Sequence, residues 1–260
     1  MRFPFVKMHG AGNDFVMFDD RDGTFPMFAA GIAAIAPRGT GIGCEGVILV
    51  QKSERADFRM RFFNPDGSEA DMCGNGARCV AAFAREIGAA AGDRMRFETR
   101  AGDVDAEIVG PNLIRIALPD PRDLRANFVS SGVPHAIVPV ADLASADVEG
   151  EGRRVRNSDE FAPDGANVDF VAYNPPNALA IRTYERGVEA ETGACGTGSV
   201  AAALVGVAQY GLSFPVRVAT ALGYELMVDG SWDGRHFSSV TLTGPVKKVF
   251  EGVVDVPVGN

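Results

Sequence analysis

The sequence predicts an α+β protein with two similar halves, each a curved, mostly antiparallel sheet wrapped around one central helix. Short runs of strand-forming residues recur along the chain, and several alternate apolar with polar residues, as a strand with one buried face does. Two alanine-rich stretches have helical character. Each of them follows a Cys-Gly-x-Gly segment, so the chain contains an internal repeat that favours two related domains.

Turn residues such as Pro65-Asp66-Gly67 and Asp229-Gly230 separate the predicted strands. Pro119-Asp120-Pro121 is the best candidate for a hinge, because proline cannot continue a central strand. We therefore predict an N-terminal domain of residues 1–119 plus a C-terminal strand at 247–260, and a C-terminal domain of residues 120–246. The strand candidates are Asp14–Phe18, Gly46–Val50, Phe58–Phe63, Leu113–Leu118, Ala178–Tyr184 and Ser239–Leu242.

The two helical stretches are predicted over Ala77–Ile87 and Ser199–Ala208. Gly88 and Gly211 stand where these helices should stop. The second stretch is apolar on almost every side, and such a helix must be surrounded by protein. We expect it to form the core of its half.

The repeat extends beyond the cysteines. Asn64–Glu69 precedes Cys73 at nearly the distance at which Glu185–Glu189 precedes Cys195. A looser echo relates the segment that begins at Asn13 to the one that begins at Asn167. A duplicated fold would relate the halves by a pseudo-two-fold axis, with both helix N-termini directed to one cleft.

Composition excludes several classes of protein. With 46% hydrophobic and 23% charged residues, the chain has the composition of a globular protein. A net charge of −9 and the lack of a basic run argue against nucleic acid as a partner. The N-terminus lacks the features of a signal peptide, and the apolar stretch Phe25–Ala36 is too short to span a membrane. Four cysteines do not form a disulfide framework, so we expect a reducing cytoplasm.

Cys73 and Cys195 each stand immediately before a predicted helix. The positive end of the helix dipole stabilises a thiolate there, and the neighbouring glycines leave backbone N–H groups open to a carboxylate. Two such thiols suit the transfer of a proton from one face of a carbon to the other. Buried cysteine is usually an inert small hydrophobe, and we interpret Cys44 and Cys79 in that way.

Other polar residues have plainer interpretations beside their functional ones. The histidines fit no metal motif, so we expect no metal site. Asparagine outside a motif is often a turn-former. Arg78 can cap or pair locally, and Glu185-Arg186 can be a surface ion pair of little energetic value.

Five ordered segments resemble the pyridoxal-independent diaminopimelate epimerases over essentially the whole chain. They are Met8–Phe15, Phe63–Glu69, Cys73–Cys79, Tyr184–Gly187 and Glu191–Gly198. The resemblance implies cofactor-independent isomerisation of LL- to meso-2,6-diaminopimelate, on the route to lysine and peptidoglycan. It also implies two pseudo-symmetric domains, each a β-barrel around a central helix, and usually a homodimer.

Carried over by position, the resemblance makes Cys73 and Cys195 the two acid/base thiols. It makes His135 an electrostatic support of the site. The carboxylate of the reacting centre would be held by Gly74 and Asn75 together with Gly196 and Thr197. The rest of the substrate would be read by Asn13, Asn64, Asn167, Glu185 and Arg186.

The chain departs from a common family pattern at two places. Many members carry asparagine where Val133 stands, and some carry Asp-Gln in place of Glu45-Gly46. One alternative function is a racemase of another amino acid, such as proline, hydroxyproline or histidine. Asn75 counts against the proline type, which carries histidine there. A thiol–disulfide redox protein that uses the two cysteines is the alternative from another class.

Overall fold

The structure is a computed structural model that describes residues 1–26 and 29–256. It contains two compact units. Unit 1 comprises Met1–Ile116 and the segment that begins at Gly244, and unit 2 comprises Ala117–Thr243. The sequence-based boundaries at 119/120 and 246/247 stay a prediction for independently folding domains.

Unit 1 is an eight-stranded ring around one helix. The strands pair in the order β1, β2, β3, β4, β6, β7, β8 and β17, and β17 returns to β1. Helix α2 packs against β1, β2, β3, β4 and β7. The elements are β1 (Arg2–Gly10), β2 (Asn13–Asp19), α1 (Ala29–Ile35), β3 (Gly46–Gln51), β4 (Phe58–Phe63), β5 (Glu69–Ala70), α2 (Gly74–Glu86), β6 (Arg94–Thr99), β7 (Gly102–Gly110), β8 (Leu113–Ala117) and the end of β17 (Phe237–Asp255).

Unit 2 is a curved sheet around helix α4. Its strands follow the order β9, β10, β11, β12, β13, β15, β16 and the start of β17. Helix α4 packs against β10, β11, β12, β13, β15 and β16. The elements are β9 (Arg122–Arg125), β10 (Phe128–Ser130), β11 (Pro134–Pro139), α3 (Val148–Arg156), a 3₁₀ turn (Asp159–Phe161), β12 (Asn167–Asn174), β13 (Ala178–Glu185), β14 (Ala190–Thr192), α4 (Gly196–Gln209), β15 (Val216–Ala219) and β16 (Glu225–Trp232).

The predicted fold class and both central helices are confirmed. Each helix begins three residues earlier than predicted, because the cysteine itself is the N-cap residue and the following glycine is the first helical residue. The apolar pattern starts after these glycines, so periodicity alone places the start too late. Gly88 and Gly211 have φ values of 69° and 72°, and this left-handed backbone stops both helices.

The six predicted strands are confirmed, but the predicted turn at Asp229-Gly230 is wrong. Both residues lie inside β16, which pairs with β17 on either side of them. The register shifts between Asp229 and Ser231, so Gly230 lies at a β-bulge. Glycine in a strand marks a bulge as readily as it marks a turn.

The order of strands repeats between the units. In each, an antiparallel strand leads into a parallel pair, β2 with β3 in unit 1 and β11 with β12 in unit 2. Two antiparallel pairings follow, β3–β4 and β4–β5 in unit 1 and β12–β13 and β13–β14 in unit 2. The central helix comes next, and the strand after it is parallel to β4 in unit 1 and to β13 in unit 2. The topology therefore matches β1–β7 with β10–β16 and α2 with α4.

The predicted echo between the segments at Asn13 and Asn167 is wrong. Asn13 begins β2, the first strand of its parallel pair, whereas Asn167 begins β12, the second strand. The register pairs Phe15 with Gly46 and His135 with Asn167, so Asn167 corresponds to Gly46. The two segments have similar residues but lie in strands that occupy different places in the sheet.

No helix in the described ranges is both long enough and apolar enough to cross a bilayer.

The apolar side chains of α4 should carry much of the stability of unit 2. Leu204 is fully buried, whereas Leu222 is 55% exposed. We expect Leu204→Ala to lower the free energy of unfolding by about 2–5 kcal/mol, because it leaves a cavity. The matched Leu222→Ala should stay within about 0.5 kcal/mol of the parent. Urea denaturation measures both, and equal losses would contradict the burial of α4.

Candidate active site

Cys73 is the N-cap residue of α2, with extended backbone at φ −135° and ψ 122°. Its carbonyl accepts the first intrahelical bond, from the N–H of Ala77 at 2.7 Å. The N–H groups of the first turn, which includes Gly74 and Asn75, lie outside the i to i−4 ladder and suit an anion. Their predicted contact with a substrate carboxylate stays a prediction.

Asn13 lies beside Cys73. The Cys73 thiol donates to Asn13 Oδ1 at 3.6 Å, and Asn75 Nδ2 donates to the same oxygen at 3.2 Å. The amide nitrogen of Asn13 donates to a carboxylate oxygen of Glu45. Unit 1 thus brings two predicted site residues, Asn13 and Asn75, to the proposed acid/base sulfur.

Arg78 lies one turn into α2 and is fully buried. Its Nη2 donates to Asn75 Oδ1 at 2.7 Å and its Nη1 to the carbonyl of Gly74 at 3.3 Å. Nε is buried without a hydrogen-bond partner. Burial lowers the pKa of Arg78. The guanidinium does bond locally, but it is buried beneath the site instead of lying at the surface.

Asn64 shapes the turn before β5. Its carbonyl accepts from the N–H of Gly67 at 2.9 Å, and its Nδ2 donates to Ser68 Oγ at 3.0 Å. Gly67 has a φ of 86°, which the turn requires and glycine permits. The turn-forming role of Asn64 is present, and its role toward a substrate stays a prediction.

Cys195 is the N-cap residue of α4. Its Sγ accepts from the N–H of Gly198 at 3.3 Å and lies 3.4 Å from Thr197 Oγ1. Its carbonyl accepts from the N–H of Ser199 at 3.0 Å. The sulfur is therefore held against the first turn of the helix, as the sequence predicts.

His135 lies in the interior of unit 2. Its Nδ1 is 2.7 Å from Asp169 Oδ2 and its Nε2 is 3.0 Å from Thr197 Oγ1. A carboxylate can only accept, so we assign the ring proton to Nδ1. Nε2 is then an acceptor for Thr197 and for Asn167 Nδ2 at 3.4 Å. The oxygen of Thr197 can accept in turn from Cys195, which completes a hydrogen-bonded chain.

Asp169 is a site residue that the sequence reasoning missed. It is fully buried, and its second oxygen accepts from Thr183 Oγ1 at 2.7 Å. Alternate residues of a strand share one face, so Asp169 follows Asn167 on the side that meets His135. This two-residue spacing is the signal that could have found it.

Glu185 and Arg186 follow each other at the end of β13. Glu185 accepts from Thr192 Oγ1 at 2.8 Å. The backbone N–H of Arg186 donates to Asn167 Oδ1 at 2.8 Å, and its guanidinium donates to backbone carbonyls, including that of Asp164 at 3.3 Å. The structure brings Asn167 and Arg186 together, and their contacts with a substrate stay a prediction.

The helix N-terminus is not the largest influence on the pKa of Cys195. Burial raises its pKa, and the charges of Glu185 and Asp169 raise it further, against smaller opposing effects of Thr197 and Gly198. Burial can shift a pKa by about 3–5 units. A helix N-terminus contributes only about 0.3–2 kcal/mol, and one unit corresponds to about 1.4 kcal/mol. Desolvation therefore outweighs the helix N-terminus, and this environment favours the neutral thiol form of Cys195.

All four cysteines are free. Cys44 and Cys79 are buried, and burial raises the pKa of both thiols. Cys44 is 5% exposed and Cys79 is fully buried, so neither thiol is open to a substrate. This agrees with their interpretation as inert core residues.

Comparisons with known proteins agree on one family. A family model described as diaminopimelate epimerase matches residues 5–117 and 127–249. The chain is 42% identical to a diaminopimelate epimerase of Chlorobaculum tepidum, over 95% of this chain and 99% of that protein. It is 41% identical to one of Aquifex aeolicus, over 95% of this chain and 96% of that protein.

Solved structures show the same fold at lower sequence identity. A phenazine biosynthesis protein of the PhzF family from Bacillus anthracis superposes with a TM-score of 0.75 at 19% identity, over 98% of this chain and 100% of that one. A hydroxyproline epimerase from Agrobacterium vitis gives a TM-score of 0.66 at 18% identity, over 97% and 92%. These similarities show the fold alone.

Gly198 is tightly enclosed by the site. A Cβ at this position would lie 2.4 Å from Asp169 Oδ1 and 3.3 Å from Cys195 Cβ. We expect Gly198→Ala to lower the free energy of unfolding by about 1–3 kcal/mol, because overpacking displaces the buried carboxylate. The control is Gly39→Ala, whose Cβ meets nothing within 4 Å. Chemical denaturation compares the two, and a Gly198→Ala variant as stable as the control would contradict the enclosure.

Proposed function

The chain belongs to the diaminopimelate epimerase family, and on that premise we propose that it interconverts LL- and meso-2,6-diaminopimelate by two-thiol proton transfer. One observation carries the mechanism. In each unit a cysteine is the N-cap residue of the central helix, directly ahead of a glycine-led first turn. A sulfur and a set of backbone donors are thereby offered together twice in one chain.

The chemistry requires this combination. An α-hydrogen beside a carboxylate is a very weak acid, so removing it creates negative charge that the enzyme must stabilise. Backbone N–H groups fixed at a helix N-terminus can do so without reorganisation. We assign this role to Gly74 and Asn75 in unit 1 and to Gly196 and Thr197 in unit 2, and we propose no cofactor.

The reaction balances as one proton taken and one returned. One cysteine, as a thiolate, takes the α-proton from one face of the carbon and becomes a thiol. The other, initially a thiol, delivers its proton to the opposite face and becomes a thiolate. Exchange of protons with solvent returns the two cysteines to their starting states. The reverse reaction also returns them, because it transfers the proton in the opposite direction. The proposed readers of the rest of the substrate are Asn13, Asn64, Asn167, Glu185 and Arg186.

Unit 2 contains a path for the proton of Cys195. The thiol can donate to Thr197 Oγ1, whose own proton is directed at His135 Nε2. The imidazolium that results would be stabilised by the buried carboxylate of Asp169 at 2.7 Å. This arrangement supports a Cys195 thiolate even though burial raises the pKa of the thiol.

Exchange of the α-proton in deuterated water tests the function without added cofactor. We expect exchange on LL-diaminopimelate, and none on proline, histidine or glutamate. Cys73→Ser and Cys195→Ser should each lower kcat by about 10²–10⁴-fold, because each removes a general acid/base. Cys44→Ser is the control and should retain nearly parental activity. Parental activity in either of the first two variants would exclude the two-thiol mechanism.

We propose that the enzyme works in the reducing cytoplasm, because the reaction needs both sulfurs as free thiols. The same pair could form a disulfide under oxidising conditions if the sulfurs can meet. A redox protein would gain a function on oxidation, whereas an epimerase would lose activity and recover it with reductant.

We also propose a homodimer, as the family resemblance implies. Val249, Phe250 and Val253 lie on β17 with exposed fractions of 52%, 46% and 54%. Three exposed apolar side chains within five residues of one strand make this part of β17 a candidate interface. A second copy of the chain is the occupant that we propose for it.

Light scattering tests the dimer. We expect twice the mass of one chain, and a larger monomer fraction for Phe250→Asp, because a buried charge without a partner disfavours association. Val188→Asp is the control, since Val188 is 57% exposed and lies outside β17. An unaltered dimer with Phe250→Asp would exclude this surface. The ring centroids of Phe250 and Phe5 are 5.8 Å apart, so Phe250→Asp can also lower the stability of the monomer. The melting temperature of each variant is therefore compared with that of the parent.

A further inference from the structure

Arg78 is a buried cation near the positive end of a helix. That end already carries a partial positive charge, so a cation there is disfavoured. The side chain has no exposed surface, and its Nε has no hydrogen-bond partner. A buried charge without a counter-ion is costly, so the site should offer a negative group at some stage of the reaction.

The candidates for that negative group are few. Within the ranges 1–26 and 29–256, the ionisable groups that act on Arg78 are Cys79 and Cys73. Cys79 is fully buried, and burial raises its pKa, so it stays a neutral thiol. Cys73 is only partly buried and is the sulfur proposed to gain and lose a proton. Among the chain's own residues, its thiolate is therefore the natural counter-ion of Arg78.

Arg78 also fixes the direction of a chain of amides. A guanidinium can only donate, so Asn75 must turn its Oδ1 toward Arg78 and its Nδ2 away. At the other end the carboxylate of Glu45 can only accept, so Asn13 must turn its Nδ2 toward Glu45. Both ends leave Asn13 Oδ1 facing Asn75 Nδ2 and the Cys73 thiol.

We propose that Arg78 is a positioning residue for Cys73, an inference that rests on the two-thiol reaction above. Its buried charge stabilises the thiolate, while the Asn13 oxygen that it helps to orient accepts from the thiol. Both protonation states of the sulfur are then supported. A group that must take a proton in one direction and give it in the other needs this balance.

Other charged groups lie on the elements around α2, and the nearby Asp14 is paired with Lys7 and Arg38. The charge of that carboxylate is therefore already balanced. Glu45 is exposed and reaches the sulfur only through Asn13. The remaining titratable groups on the strands that pack against α2 are Arg2 and His9 on β1, Asp19 on β2, Arg59 and Arg61 on β4, and Asp103, Asp105 and Glu107 on β7.

The test measures how the alkylation rate of Cys73 by iodoacetamide depends on pH, in a Cys195→Ser background. Arg78→Met should move the inflection of this profile upward by about one unit or more, because an opposite charge nearby lowers a thiol pKa. Below the inflection the rate should fall about tenfold. Arg78→Lys keeps the charge and should shift the profile less. The control is Arg59→Met, since Arg59 is exposed on β4.

A profile for Arg78→Met that superimposes on the parent would overturn the proposal. If Arg78→Met does not fold, Arg78→Gln replaces it, since glutamine is neutral and keeps an amide donor toward Asn75. A merely structural role would alter stability without moving the inflection. Mass spectrometry of the labelled peptide confirms that Cys73 is the residue modified.

A second measurement leaves Arg78 in place. The alkylation profile of Cys73 in Cys195→Ser is compared with that of Cys195 in Cys73→Ser. We expect Cys73 to inflect at lower pH, because Arg78 acts on it whereas carboxylates surround Cys195. The reverse order would overturn the proposal. Neither profile depends on turnover. A failure of the two-thiol function in the epimerase assay can therefore be distinguished from a failure of the Arg78 proposal.

Discussion

The burial of helix α4 determines the architecture of unit 2, because no face of the helix is polar enough to be exposed to water. Its residues from Gly198 to Gly206 are all buried. The sheet must therefore curve around it, and only the ends of the helix can offer backbone groups to a ligand. The N-terminal end carries the donors, and Cys195 stands there. Burial of the helix thus places a sulfur beside the backbone N–H groups of the first turn.

The same burial works against the chemistry that it makes possible. Removing Cys195 from water raises its pKa, and the carboxylates of Glu185 and Asp169 oppose ionisation further. In unit 1, the corresponding sulfur of Cys73 interacts electrostatically with the buried guanidinium of Arg78. The two units thus share a topology, but the charged groups that act on their cysteines differ in sign. A reaction whose two steps need one sulfur charged and one neutral is suited to such inequality.

The predictable elements are those that depend on the pattern of residues close together in the sequence. Strand alternation and helix periodicity need only neighbouring residues, and an N-cap cysteine followed by glycine is a local motif. The pair of His135 with Asp169 was not predictable in this way, since it spans 34 positions and depends on the register of two parallel strands. The misplaced echo between Asn13 and Asn167 has the same origin. The position of a strand in the sheet depends on the topology of the whole unit. The identity of the residue that begins the strand does not determine it.

Strand β17 has a consequence for the order in which the chain can be completed. Its final part pairs with β1 and β8 and closes the ring of unit 1, although it follows all of unit 2 in the sequence. During synthesis the first half of the chain leaves the ribosome early but lacks the strand that closes its ring until all of unit 2 has been made. The later half can finish first. An unclosed ring with two open edges must wait meanwhile, and such edges are the part of a nascent protein most exposed to mispairing.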